Sequence, residues 1–151
     1  MALDTYPLGM NAKLYRNTGS YASPTWNLID QVKDVTLNMT ADEADTTTRA
    51  SGGWASSLPT TRKIEVSFQM LAKTGDEDIS AIQSAFFNNT DLEIAALSGP
   101  VTDSDSKGVR FTGRVYTFSR NEAIADAQTF DVTIKPAPAA NNPTWFSGTS
   151  P

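Results

Sequence analysis

The 151-residue chain contains neither histidine nor cysteine. Without them there is no Ser-His-Asp or Cys-His nucleophile pair, no imidazole base near neutral pH, no thiolate and no zinc site of the usual kind. Catalysis would have to come from carboxylates, lysine or hydroxyls. The lack of cysteine fits a reducing compartment without proving one. Positive charge is scarce and scattered, since 12 Lys and Arg against 17 Asp and Glu give a net charge of −5. A non-specific nucleic-acid binder needs the opposite, clustered cations that displace counterions from phosphates. No apolar run reaches the roughly 18 residues of a membrane span. The first ten residues lack the charged and apolar segments of a signal peptide. We expect no membrane partner.

A chain this long can hide roughly 70% of its unfolded surface around one core without disulfides or metal. Its apolar residues mostly recur with period two, the pattern of strands with one buried face. Val35, Leu37 and Met39 alternate with polar neighbours, as do Leu92 and Ile94, then Val109, Phe111 and Val115, then Phe130, Val132 and Ile134. The clearest strand spans 61–71, with Ile64, Val66, Phe68 and Met70 on one face and Lys63, Glu65, Ser67 and Gln69 on the other. That second face suits water or a wet interface. Thr74-Gly75-Asp76-Glu77 has the spacing of a capping box, and Ile79, Ile82 and Phe86 follow at helical intervals until Asn88-Asn89. These features predict a mainly β single domain. It is a β-sandwich or barrel of about six to eight strands, with one flanking α-helix at about 74–88 and long extended loops.

Three segments fall outside the core pattern: an extended N-terminal arm at about 1–11, a polar loop at about 40–60 and a proline-rich extended tail at about 136–151. The tail, carrying Trp145-Phe146, is expected to lack ladder hydrogen bonds. The 40–60 stretch reads either as a mobile polar loop or as a docking arm. Its Trp54 follows Gly52-Gly53, a large apolar anchor on a backbone free to take positive φ.

Chemistry has little to rest on. Asp42, Glu43 and Asp45, and Asp103 with Asp105, lie in polar loops with no apolar shell to shift a carboxylate. The Asp103-Ser104-Asp105 run lacks the glycine and distal glutamate of a calcium loop. Arg110 and Arg114 share a strand face with Thr112 and read as a wet sheet surface. We expect no catalytic residue, no metal and no cofactor. Exposed aromatics on extended segments point instead to protein partners.

The runs Val32-Lys33-Asp34-Val35-Thr36-Leu37, Ala44 to Trp54 (ADTTTRASGGW), Phe118-Ser119-Arg120-Asn121-Glu122 and Val132-Thr133-Ile134-Lys135-Pro136 resemble the major tail, or tail tube, proteins of long-tailed phages. The resemblance spans roughly residues 9–146. It implies a β-sandwich related to the type VI secretion tube protein, with six copies in a ring and rings stacked into a virion tube that delivers DNA. It also implies synthesis in the host cytoplasm. Expected partners are the chain itself, the tape measure, the tail terminator and baseplate or distal tail proteins, with DNA passing without specific binding. Thr47, Thr48, Arg49, Ser51, Gly52, Gly53 and Trp54 become the expected intersubunit or inter-ring contact loop. Lys63, Glu65, Ser67 and Gln69 become a candidate lumen or interface face. The alternative is a monomeric β-sandwich module that binds a ligand or carbohydrate through residues 44–54 and Trp145.

Overall fold

Alternating apolar residues generate eight strands in the computed structural model, which describes residues 8–148. They are β1 (Lys13–Asn17), β2 (Trp26–Leu28), β3 (Val32–Asp45), β4 (Ser57–Leu71), β5 (Leu92–Leu97), β6 (Lys107–Asn121), β7 (Thr129–Pro136) and β8 (Thr144–Ser147), with one helix, α1 (Glu77–Asn88), between β4 and β5. All join one antiparallel sheet in the order β2-β1-β5-β6-β7-β4-β3, and β8 also pairs with β6. The expected mainly β architecture with a single flanking helix is what forms. The expected N-terminal arm is described only from Leu8, and Gly9–Asn11 forms a 3-10 turn; residues 1–7 lie outside the described residues.

The two ends of this sheet are chain neighbours. Laid flat, six interstrand steps would separate β2 from β3 by about 29 Å. The link from Leu28 to Val32 can reach only about 14 Å. The sheet must therefore roll up, and its concave side becomes the core. Leu14, Ile94, Ala96, Val109 and Phe111 pack against Val66, Phe68, Met70, Val132 and Ile134, with Ile82 and Ala85 of α1 closing the gap. β6 serves both halves of the roll. Its first part pairs with β5, its second with β7, and the register shifts at Tyr116 where it bends.

α1 starts two residues later than the capping box suggests. Asp76, not Thr74, is the N-cap, and its side chain accepts from the Asp78 amide at 2.8 Å. Gly75 takes φ 80° just before it, so Thr74 lies outside the helix. Asn89 ends the helix in the left-handed conformation, with φ 52°.

Two extended segments depart from expectation. The 40–60 stretch is not an irregular loop, because β3 and β4 pair continuously from Val32–Met70 to Asp45–Ser57. Beyond Met39 and Ile64 both faces of this hairpin are exposed, so it leaves the core as a two-stranded arm. The tail does make ladder bonds. Thr144–Ser147 lies along Lys107–Arg110 of β6, beyond the end of β7.

Candidate functional site

The arm ends in a tip built from hydroxyls rather than apolar packing. Thr46 N–H donates to the Ser56 carbonyl at 2.9 Å and the two side-chain hydroxyls meet at 2.7 Å. The Thr47 hydroxyl donates to the Ser56 carbonyl and accepts from the Ser56 amide. Thr48 and Ser51 cap a short 3-10 turn at Arg49–Ser51 reciprocally. Gly52 and Gly53 then take φ 65° and 86°, the left-handed region that favours glycine, and turn the chain back. Trp54 N–H donates to the Ser51 carbonyl, while its side chain is 79% exposed. The tip is thus held in one shape and presents Trp54 to solvent. Backbone and side-chain hydrogen bonds from Thr47 hold the Asp45 carboxyl below the usual carboxylate range.

Lys63, Glu65, Ser67 and Gln69 lie along β4 on the face away from the core. Lys63 pairs with Asp42 at 3.2 Å on the exposed arm. The Ser67 hydroxyl donates to Glu65, and Gln69 and Asn121 both donate to Asp131 of β7. Cross-strand register adds Thr133 and Lys135 to the same face, opposite Ser67 and beside Glu65. The outer face of β6-β7-β4-β3 is therefore hydrogen-bonded and polar across its width.

This four-stranded segment has two unpaired margins among the described residues. β3 has a partner only on its β4 side. β5 leaves β6 at Gly113, so Arg114–Asn121 is paired only with β7. Neighbouring strands are antiparallel throughout, so β3 and β6 run in opposite directions. Two copies side by side, in the same orientation, could join these margins as a further antiparallel pair.

Arg110 overturns its sequence reading. It is not on a wet surface but 8% exposed. Its Nε pairs with Glu93, its Nη2 donates to the Tyr21 carbonyl at 2.6 Å, and its guanidinium lies 3.9 Å from the Tyr21 ring centroid and 5.0 Å from that of Trp26. Phe146 of β8 packs on Trp26 at 5.6 Å, so this cluster helps hold the tail. A second buried charge, Asp78, accepts from Arg16 Nε at 3.1 Å and Asn27 at 3.0 Å. Burial pushes its carboxyl up, while Arg16 and Asn27 pull it back. Neither pair was visible in the sequence, because their members lie 17 and 62 residues apart and meet only through the fold. Asp42, Glu43, Asp45, Asp103 and Asp105 are exposed, and no group of three or more metal-ligating residues forms among the described residues.

No family model and no curated protein matches this chain. Solved structures do. The tail of an empty gene transfer agent particle, refined with C6 symmetry, is 17% identical and covers 93% of this chain and 98% of its own, with TM-score 0.71. The SPP1 tail tube gives TM-score 0.74 at 10% identity, over 95% of this chain and 80% of its own. The chain has the tail-tube fold. A subunit of the anti-feeding prophage baseplate also superposes, with TM-score 0.64 at 5% identity over 96% and 98%. Within the tail-tube fold of this chain, the arm, the polar face and the two open margins are the features left without a partner.

Proposed function

We propose that this protein is a tail tube subunit, a structural and non-catalytic virion component made in the host cytoplasm. Six copies form a ring and rings stack into a conduit through which DNA passes without specific binding. The observation that carries this reading is the pair of open margins, β3 and Arg114–Asn121 of β6. They bound one polar face at opposite edges and run in opposite directions. A rotation about an axis roughly along the strands repeats that contact head to tail until the sheet closes. The number six rests on the C6 symmetry of the gene transfer agent tail.

In this arrangement the face bearing Lys63, Glu65, Ser67 and Gln69 lines the lumen. There Lys63 and Lys135 are matched by Glu65 and Asp131, so passing phosphates meet no net attraction. The arm, with Thr47, Thr48, Arg49, Ser51, Gly52, Gly53 and Trp54 at its tip, reaches a neighbouring subunit or ring. The tape measure, tail terminator and baseplate or distal tail proteins meet the ends of the stack. Light scattering over a wide concentration range, with negative-stain images of the most concentrated sample, tests the reading. Rings or tubes with a central hole are expected; a monomer at every concentration overturns it.

A further inference from the structure

An aromatic row runs from the core to the surface at the open margin of β6. Phe130 stacks on Phe118 at 4.9 Å, Phe118 meets Phe86 of α1 at 6.3 Å, and Phe86 meets Phe87 edge to face at 5.5 Å. Exposure rises along the row, from half-buried Phe118 to 38% at Phe86 and 73% at Phe87. Phe87 is thus a large apolar side chain on the last turn of a helix whose inner residues, Ile82 and Ala85, are anchored in the core.

The opposite margin carries a hollow. A cleft of ≈ 380 Å³ opens between β1 and β3, lined by Met10, Leu14, Leu28, Ile29 and Val35. Three of these remain open to solvent, with Met10 82%, Leu28 39% and Val35 37% exposed. Lys13, Lys33 and Asp30 also border it.

We propose that Phe86 and Phe87 of each copy seat in the β1–β3 cleft of the next copy around the ring. This rests on the head-to-tail ring of the previous section and names what fills its seam. A second copy is the occupant because knob and cleft flank the same two margins. Pairing β6 with the next copy's β3 carries Phe118, Phe86 and Phe87 toward the next copy's Val35. Charge agrees with this choice. The last turn of α1 has no basic residue to offset the negative end of the helix dipole, while the cleft is bordered by two lysines, Lys13 and Lys33, against one carboxylate, Asp30. Within one chain the two features lie at opposite edges of the β6-β7-β4-β3 segment and cannot meet.

The cysteine-free chain makes the test clean. Phe87→Cys and Leu28→Cys variants are mixed, brought to a concentration at which the wild type forms rings, and oxidised. Covalent dimers containing one of each variant are expected, together with a ladder of multiples from the double variant. Phe87→Ser should leave the monomer's melting curve unchanged and raise the concentration needed for assembly by roughly tenfold or more. Rings that form with neither the mixed crosslink nor a shift for Phe87→Ser overturn the seam while leaving the tube reading in place. A wild type that never assembles overturns both.

Discussion

The Arg110 guanidinium lies against the Tyr21 ring, 3.9 Å from its centroid, while its Nε holds the Glu93 carboxylate almost out of solvent. Removing one partner of such a pair strands the other. Arg110→Met is expected to lower the unfolding free energy by about 3–5 kcal/mol, because Glu93 is left charged and buried. Adding Glu93→Gln should recover much of that loss, since the neutral amide no longer needs a counter-ion. Urea unfolding of the two single variants and the double variant gives the coupling directly.

Gly108 sits between Leu97 of β5 and Phe146 of β8. A Cβ there would come 1.6 Å from the Ala96 carbonyl oxygen, a clash with backbone that no rotamer relieves. Gly108→Ala is expected to cost about 3 kcal/mol or more, at or above the usual range for overpacking. Gly9→Ala, with nothing within 4 Å of the added carbon, should be close to neutral. Thermal melts of both variants separate a local clash from a general intolerance of alanine.

The arm tip should loosen in acid. Hydrogen bonds from the Thr47 backbone and hydroxyl lower the folded-state pKa of Asp45. Its contribution is therefore complete above the unfolded value of about 4 and is lost as pH falls through the depressed folded value. Carboxyl titration by NMR should find Asp45 below the ordinary aspartate value. Thr47→Ala should raise it only part of the way, because the backbone N–H remains.

Trp54 contributes nothing to its own domain's core, so Trp54→Ser should change stability by no more than about 0.5 kcal/mol. On the proposed tube reading its effect lies in assembly, and the variant should form fewer or shorter polymers at a given concentration. Scattering identical to the wild type, with the same melting curve, would remove Trp54 from the contact surface.

What could be read from the sequence followed from one-sided burial. Val66, Phe68 and Met70, like Val132 and Ile134, alternate because one face of their strand meets the core, and the structure buries them as expected. The arm escaped the same reading for the opposite reason. Residues 40–45 and 57–63 are wet on both faces, so no alternation marks them, and their pairing is set by the turn at Arg49–Gly53. β8 was hidden by its prolines, which lie just before the four residues that pair. Arg110 was misjudged because Tyr21, Trp26, Glu93 and Phe146 reach it only through the fold. Phe87 carried no signal of its own, since the helical stripe passes through Phe86 and leaves the adjacent residue on the outer side.

The short link Ile29–Gln31, which ties the two ends of the sheet together, also sets the order in which the chain can mature. Synthesis delivers β1 to β4 first, yet these are the margins of the finished sheet, and the middle strands β5, β6 and β7 follow only after α1, with β8 behind them. β3 and β4 can pair early as a hairpin. β1 has no long-strand partner until Leu92–Leu97 arrives, and β4 waits for Thr129–Pro136. Closure of the roll is thus a late, long-range event of the slow-folding kind. A nascent chain stopped after α1 would hold the β1–β2 and β3–β4 pairs and a helix, without the middle strands that join them into one core.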